Sequence, residues 1–446
     1  MALAALQSAA GETKRSKPNI LMICLDDLND WTGCLGGHPE VKTPNIDRLA
    51  ERGRNFTNAH CVVPVCSASR VSIMSGLHAT THGSYEFGPS YQSIPALRDA
   101  PCLQSWFKSH GYRTFAGGKV LHHGFKGPLK EAIDVDLGPS GGPRRQTDLN
   151  WPGGPWDWGA YPEKDEQMQD FQLAQKTAAL LKQKQNRPFF ISVGIFRPHV
   201  PLLVPPRWFD LYDRETLTLP KAPESDLSDL PPNLRGKINV EPVHEEVVRR
   251  GKWRGMVQAY LASISFADHC VGTILEGLEN GPHAKDTIVV LWSDHGFHLG
   301  EKHQWAKRTL WEESTRVPFL FAGPGIEPGP CREAVSLVDL YPTLTELCDL
   351  PAPRKLDGLS LIPQLRNPRE PRSRPVVISS FEGNHAVRTR DWRLIHYADG
   401  ARELYDHRKD PDEFTNLASG PMDEKTWMSL AKWLPKDPAP EVRQKK

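Results

Sequence analysis

Acidic side chains and one histidine follow two strongly apolar runs that lie far apart in the chain. Asp26 and Asp27 end the first run, and Asp294 and His295 follow the other. In an open parallel sheet, ligands collect beyond the carboxyl ends of the strands, so we expect these side chains to converge. A set of mostly oxygen ligands suits Ca²⁺, or alternatively Mg²⁺, better than zinc. The competing interpretation is that Asp26 caps a helix and Asp294 starts a turn.

The segment Cys66-Ser-Ala-Ser-Arg70 is the second group of residues that could do chemistry, and it leads into a predicted helix that ends at Gly76. The backbone N–H groups and the dipole at a helix N-terminus favour anions, and Arg70 adds a positive charge one turn later. An isolated cysteine is more often a buried apolar residue. The segment nevertheless predicts a place where an oxyanion can be held.

The elements that must position these residues alternate between short apolar runs and helical patterns, as is typical of βαβ units and a parallel sheet. The predicted strands cover residues 19–25, 112–116, 189–195 and 287–292. The predicted helices cover residues 44–52, 102–110, 171–183, 256–278 and 336–350. We therefore expect an α/β fold with a large, mixed, mostly parallel sheet sandwiched by helices.

The chain changes character after residue 350, where a segment rich in proline and arginine begins. Short strand-like runs at 375–380, 386–389 and 392–397 then lead to a predicted helix near 425–434. The predicted organisation is a tail or residual signal segment (1–17), a main domain (18–365), and a small C-terminal α+β subdomain with a short antiparallel sheet and a helix (366–446). Long surface loops are expected at 138–158 and 220–246.

Charge and composition exclude several classes of protein. The chain has 55 Lys and Arg against 54 Asp and Glu, so it has no general basic field for nucleic acid. No run approaches the roughly 18 apolar residues of a membrane span. Eight cysteines without a C-x-x-C pair predict neither a disulfide scaffold nor a zinc site.

We expect a periplasmic or secreted protein, with the cytoplasm as the alternative because the first residues lack a basic segment.

Together the motifs resemble the type I sulfatases of the alkaline phosphatase superfamily, over about residues 18–417. The resemblance rests on Cys66-x-Ala-x-Arg70 with its following helix, on Asp26-Asp27 upstream and on Gly117-Gly-Lys119 downstream. Residues 118–122, 196–201, 293–301 and 305–307 are similar to the iduronate-2-sulfatase-like branch in order and spacing. Five motifs in the right order make the resemblance specific. It implies an alkaline phosphatase-like fold.

The resemblance also implies a modified residue. In this family a maturase oxidises the motif cysteine to formylglycine (3-oxoalanine), whose hydrated aldehyde is the nucleophile, and Cys66 holds that position here. The common motif has proline two places later, whereas this chain has Ala68, a variant found within the family. The implied metal ligands are the groups at the two strand ends and the modified residue itself: Asp26, Asp27, Cys66, Asp294 and His295.

Cationic side chains would bind the sulfate in such a site. By the resemblance, Arg70, Lys119 and Lys307 bind the negative sulfate oxygens, as preorganised charges do in phosphoryl transfer. His199 or Lys307 would protonate the departing alcohol. Taken singly, each of these residues would be interpreted as a solvated lysine or a loop histidine, and only the joint pattern gives them these roles.

Two adjacent histidines, His122 and His123, are candidates for a single role. The resemblance implies that one of them deprotonates the second hydroxyl of the residue-66 diol, so that sulfate leaves and the aldehyde returns. The spacing of the motif favours His122.

The sequence therefore predicts a sulfuric ester hydrolase, similar to arylsulfatases and iduronate-2-sulfatases. The expected substrate is a sulfated saccharide or uronic acid, as in glycosaminoglycan degradation, and the expected partner is a formylglycine-generating maturase. One alternative is a formylglycine-dependent phosphodiester or phosphonate monoester hydrolase, because phosphodiesters and sulfate monoesters both carry one negative charge. The other is a non-catalytic sulfoglycan-binding protein, if Cys66 stays a thiol. The oligomeric state is not predicted.

Overall fold

The computed structural model describes residues 17–143, 145, 148–151, 154–231, 243–421 and 423–443. Its strands are β1 (Asn19–Asp26), β2 (Arg54–Phe56), β3 (Ala59–His60), β4 (Arg113–Gly118), β5 (Val135–Gly138), β6 (Trp158–Ala160), β7 (Phe189–Pro198), β8 (Leu202–Val204), β9 (Thr287–Ser293), β10 (His298–Leu299), β11 (Trp305–Ala306), β12 (Phe319–Ala322), β13 (Gly329–Cys331), β14 (Val335–Ser336), β15 (Val376–Ser379), β16 (His385–Arg388), β17 (Trp392–His396) and β18 (Arg402–Asp406). Its α-helices are α1 (Pro44–Glu51), α2 (Cys66–Ser75), α3 (Ala79–His82), α4 (Leu103–Ser109), α5 (Gln169–Leu181), α6 (Pro206–Phe209), α7 (His244–Arg249), α8 (Trp253–Glu279), α9 (Glu312–Thr315), α10 (Leu340–Leu347), α11 (Ile362–Arg366) and α12 (Glu424–Ala431).

The largest sheet has eight strands in the order β13-β2-β12-β9-β1-β7-β4-β5. Strand β1 lies between β9 and β7 and pairs with both in parallel. Strand β12 runs antiparallel to β9 and β2, so the sheet is mixed but mostly parallel. Every residue of β1 is buried, as its continuous apolar run requires of a strand covered on both faces.

Helices cover both faces of this sheet. Alternate side chains of β1 point to opposite faces and therefore enter two different cores. Ile20 and Met22 belong to the apolar core that contains α2, α4 and α10. Leu21 and Ile23 belong to a second core that contains α1, α5 and α8. The predicted α/β sandwich is therefore confirmed, and the ends of β1 and β9 open at the same edge.

Most predicted elements are confirmed with small shifts at their ends. The predicted helix 336–350 is a 3₁₀ turn (Leu337–Asp339) that continues as α10. The segment 138–158, expected as a loop, ends where β6 begins, and β6 pairs with β8. In the predicted loop 220–246, residues 232–242 lie outside the described residues.

The C-terminal region forms a four-stranded antiparallel sheet, β15-β16-β17-β18. One face packs on the main core through Ile378 and Ile395, while Leu394 on the other face packs against Trp427 of α12. The sheet and helix were predicted, but β18 was not. The boundaries at 17 and 365 stay predictions.

Among the described residues, none of the helices combines the length and hydrophobicity that a bilayer crossing requires.

Candidate active site

The two acidic pairs meet at the carboxyl edge of the sheet. Strands β1 and β9 are parallel neighbours with Leu25 opposite Ser293, so the residues that follow them leave the sheet side by side. Asp27 has a left-handed backbone (φ 64°), and its N–H donates to Asp294 Oδ1 at 3.1 Å. The side chains of Asp26, Asp27, Asp294 and His295 are fully buried. The expected convergence is therefore observed.

Cys66 is the first residue of α2 and lies against this group. Its Sγ is 3.1 Å from His295 Nε2, 3.7 Å from Asp27 Oδ1 and 3.2 Å from Lys307 Nζ. Burial raises the pKa of the thiol, but the nearby charges of Lys307, Lys119 and His295 outweigh burial and hold it well below its usual value. Residue 66 therefore occupies a position where an anion is stabilised.

Arg70 lies one turn further along α2 and joins the two strand ends. Its Nε donates to Asp294 Oδ2 at 2.9 Å and its Nη2 donates to Asp26 Oδ1 at 3.0 Å. Its Nη1 donates to the carbonyl oxygen of Lys119. Because these donors are directed at protein groups, the geometry indicates that Arg70 positions the carboxylates of Asp26 and Asp294. Its predicted contact with sulfate stays a prediction.

Two lysines supply further positive charge. Lys307 Nζ donates to Asp27 Oδ1 at 2.5 Å, and Lys119 Nζ donates to Asp26 Oδ2. Lys119 reaches the site because Gly118, which has φ 68°, lets β4 and β7 approach closely. A Cβ on Gly118 would lie 2.0 Å from the carbonyl oxygen of Gly194.

The two adjacent histidines diverge. His122 lies beside Cys66 and contributes to the lowered pKa of its thiol. The ring of Phe87 covers His122, with centroids 5.5 Å apart. His123 Nε2 instead lies 3.1 Å from the carbonyl oxygen of Gly88. Of the two, His122 is the histidine that faces residue 66.

His199 follows β7 and lies at the mouth of the site. Its Nδ1 donates to the carbonyl oxygen of Val200 at 2.6 Å, and its Nε2 lies 3.8 Å from Asp27 Oδ2. The His199 side chain is about one-fifth exposed, whereas Asp27 is fully buried. Asp27 Oδ2 is buried and has no hydrogen-bond partner among the residues that the structure describes.

The donor atoms fit a divalent cation. Two groups, each with donor atoms within 4.8 Å of one another, are Asp26, Asp27, Cys66 and His199, and Cys66, Asp294 and His295. His295 Nδ1 donates to the carbonyl oxygen of Gly296 at 2.9 Å, which leaves Nε2 facing the carboxylates. Together with the partnerless oxygen of Asp27, this set offers mostly oxygen ligands and one or two imidazole nitrogens. His199 was not among the predicted ligands.

A third group of possible donors, Glu312, His407 and Glu413, lies elsewhere. Arg393 pairs with both of its carboxylates, and Arg388 pairs with Glu312. These guanidinium groups already neutralise the carboxylates, so this group is a structural ion-pair network.

Sequence reasoning missed two residues that hold the acidic turns. The Tyr260 hydroxyl, on α8, donates to the carbonyl oxygen of Asp27 at 2.7 Å and accepts from the N–H of Asn29 at 3.0 Å. Ser69 Oγ donates to the carbonyl oxygen of Asp294 at 2.6 Å. Tyr260 belongs to no motif, and nothing in its helical spacing distinguishes it from a core residue. Ser69 lies within the cysteine motif, and that position is the signal that could have identified it.

Comparison with known proteins gives the family of this chain. The family model described as Sulfatase matches residues 18–350, and the model described as N-sulphoglucosamine sulphohydrolase, C-terminal, matches residues 300–438. A sulfatase of Formosa agariphila is 38% identical over 90% of this chain and 83% of its own length. Human iduronate 2-sulfatase is 31% identical over 75% of this chain and 70% of its own length.

Solved structures share the fold. A phosphonate monoester hydrolase of Agrobacterium radiobacter superposes with a TM-score of 0.76 over 94% of this chain and 95% of its own, at 20% identity. A 2-O GAG sulfatase superposes with a TM-score of 0.73 over 94% of this chain and 90% of its own, at 26% identity.

Fold and relatives define a class of hydrolase on an alkaline phosphatase-like scaffold. The chain belongs to the Sulfatase family and is a sulfuric ester hydrolase. The family generally uses a metal ion and a formylglycine, and the described residues include groups that could hold a metal ion.

Proposed function

We propose that this sulfatase removes sulfate from a sulfated saccharide or uronic acid, with Cys66 converted to formylglycine and Ca²⁺ as the expected ion. The observation that carries the proposal is the position of Cys66, at the N-terminus of α2 and within 3.7 Å of Asp27, His295 and Lys307. The saccharide substrate is supported by relatives named iduronate 2-sulfatase and 2-O GAG sulfatase.

The ligands of the cation would be the buried groups at the strand ends, together with residue 66: Asp26, Asp27, Asp294 and His295. A bound divalent cation makes a coordinated hydroxyl more acidic and draws charge from a sulfate oxygen. The modified residue 66 supplies a hydrated aldehyde, with one hydroxyl for attack and a second for release. The cation and the modified residue 66 set the reaction class, and the surrounding side chains set the geometry and the proton transfers.

Lys119 and Lys307 bring positive charge to the position of the sulfate group. Lys307 is held between Asp27 Oδ1 and the residue-66 side chain, so its ammonium stays close to the reacting atoms. Lys119 is held by Asp26 on the other side. Such fixed charges lower the barrier because they are already oriented when negative charge develops.

His199 is our choice for the general acid. Its side chain is partly exposed, so a departing alcohol can reach Nε2, whereas the Lys307 ammonium is directed at Asp27 and residue 66. His122 lies beside residue 66, and we assign it the role of accepting the proton of the second hydroxyl.

The test begins with the tryptic peptide 55–70 of protein expressed with and without a formylglycine-generating maturase. We expect an aldehyde at residue 66 only with the maturase, together with turnover of p-nitrophenyl sulfate and a panel of sulfated disaccharides. Bis-p-nitrophenyl phosphate tests the alternative phosphodiesterase. A thiol at residue 66 in active protein would overturn the proposal, and a thiol in inactive protein that binds sulfated glycans would favour the binding-protein alternative.

Cys66→Ser and Cys61→Ser form a matched pair, because both cysteines are buried and lie in the same peptide. We expect Cys66→Ser to fold normally and to lose turnover, since serine has only one hydroxyl. Cys61, whose Sγ is 3.8 Å from the carbonyl oxygen of Ser314, lies outside the site, and its variant should keep the activity. Equal activity of the two variants would exclude Cys66 as the reacting residue.

A further inference from the structure

Arg308, directly after Lys307, has an unusual backbone. Its φ is 88°, and Ala306 on the other side of Lys307 has φ 63°. A left-handed backbone is strained for residues other than glycine, so the surrounding structure must hold it. Ser380 Oγ donates to the carbonyl oxygen of Arg308 at 2.5 Å. This turn directs two neighbouring cations, with Lys307 pointing at residue 66.

The Arg308 guanidinium is connected to the reacting residue through two rings, those of Phe87 and His122. Its Cζ is 5.2 Å from the centroid of the Phe87 ring, and the Phe87 ring is 5.5 Å from that of His122. His122 in turn lies beside Cys66. Phe87 is 42% exposed and the Arg308 side chain is 35% exposed, so this wall of the site is open to solvent.

The ion pair between Arg308 and its partner Glu86 is weak. Glu86 Oε2 is 3.4 Å from Arg308 Nη2, which is long for a charge-assisted hydrogen bond. Burial raises the pKa of Glu86, and Arg308 only partly offsets that effect. Within the described part of the chain, the Arg308 guanidinium has no ion pair other than this long one, and Glu86 Oε1 has no hydrogen-bond partner. A better-placed anion can therefore replace Glu86 as its partner.

We propose that Arg308, stacked on Phe87, binds a second anionic group of the substrate, a carboxylate or a second sulfate on the same saccharide as the scissile sulfate ester. This inference rests on the proposed function and narrows its substrate class. A planar guanidinium held on a ring presents its N–H edge to such a group and binds it with two parallel hydrogen bonds. A quaternary ammonium group is disfavoured, because Arg308 already covers the aromatic ring and has the same sign of charge.

Matched substrates test this inference on the matured protein. One pair is a 2-O-sulfated uronic acid and its methyl ester, and the other is a disulfated hexosamine and its monosulfated form. We expect the protein to prefer the more anionic member of at least one pair by about tenfold to a hundredfold in kcat/KM. Which pair shows the preference distinguishes the carboxylate from the second sulfate.

Arg308→Ala should bring the ratio of kcat/KM values between the members of the preferred pair close to one. Arg308→Lys keeps the charge but loses the two parallel N–H donors of the guanidinium, so it should keep only part of the preference. The control is Arg113→Ala, because Arg113 also stacks on a ring, Phe115 at 5.0 Å, but begins β4 at the opposite edge of the sheet. This variant should keep both the ratio and the activity.

Two results would overturn the inference. The first is turnover of p-nitrophenyl sulfate by the unsubstituted protein without a preference in either pair. The second is a preference that Arg308→Ala and Arg308→Lys both retain. Either result leaves the sulfatase proposal intact. Aldehyde-bearing protein that hydrolyses no sulfate ester would instead remove the proposed function, and this inference with it.

Discussion

Arg70 Nε and Asp294 Oδ2 lie 2.9 Å apart in a fully buried ion pair, although 224 positions separate the two residues in the chain. The same guanidinium donates to Asp26 at 3.0 Å. One rigid planar group thus bridges the carboxylates at the carboxyl ends of β1 and β9. The distance between two proposed metal ligands is therefore set by a side chain from α2, the helix that also carries the proposed nucleophile.

Arg70→Lys should separate charge from geometry. A lysine ammonium keeps the positive charge but cannot donate in two fixed directions to both carboxylates. We expect kcat/KM to fall about 10- to 100-fold, together with weaker metal binding. The control is Arg54→Lys, another fully buried arginine, whose donors go to backbone carbonyl oxygens such as that of Gly329. If both variants keep the same activity and metal content, Arg70 does not position the site.

Asp294→Asn should lower metal content and rate together, because the variant loses one negative ligand oxygen while its shape is kept. Metal content is measured by elemental analysis after dialysis, and kcat/KM is measured at saturating Ca²⁺. His407→Gln is the control, because His407 belongs to the group that arginines already neutralise. Unchanged metal content in Asp294→Asn would remove Asp294 from the ligands, and metal loss in His407→Gln would point to a second site.

His199→Gln should slow substrates with poor leaving groups most. An alkyl alcohol needs a proton as it departs, whereas p-nitrophenolate is stable without one. We expect kcat on a saccharide sulfate to fall by about 10²- to 10⁴-fold and kcat on p-nitrophenyl sulfate to fall much less. Equal losses on the two substrates would show that His199 positions the substrate and does not donate the proton.

Asp268 should give the stability a pH dependence that does not involve the site. Burial raises the pKa of this α8 carboxyl to about 6, although the backbone N–H groups of Asn45 and Ile46 donate to it. The folded state therefore holds the proton more tightly than the unfolded state. The contribution of Asp268 to stability is full below about pH 4 and is lost as the pH rises through about 6.

Asp268→Asn removes this ionisation and keeps an oxygen for the N–H groups of α1. Relative to the unsubstituted protein, its free energy of unfolding should rise by on the order of 2 kcal/mol between about pH 4 and about pH 7. Urea titrations at several pH values measure the difference. A difference that does not change with pH would show that Asp268 ionises alike in the folded and unfolded states.

The βα alternation and the candidate residues at the strand ends could be predicted from the sequence, because both leave local signals. Buried strands such as β1 read as continuous apolar runs, and the cysteine motif lies within five consecutive residues. The ends of parallel strands share one edge, so convergence of Asp27 and Asp294 followed from topology alone. Strand β18 was missed because its charged and apolar residues give no clear alternation over so short a run.

Tertiary structure alone decided which of these groups touch. The spacing favours His122 over His123, but only the structure shows that His123 contacts the carbonyl oxygen of Gly88 instead of residue 66. Nothing in the spacing shows that Tyr260 holds the backbone of Asp27. The same is true of the stacking of Arg308 on Phe87, because these two residues are more than two hundred positions apart in the chain. The physical reason is that the sequence determines each residue's chemistry and local backbone, whereas distances between side chains depend on how the helices and loops pack on the sheet.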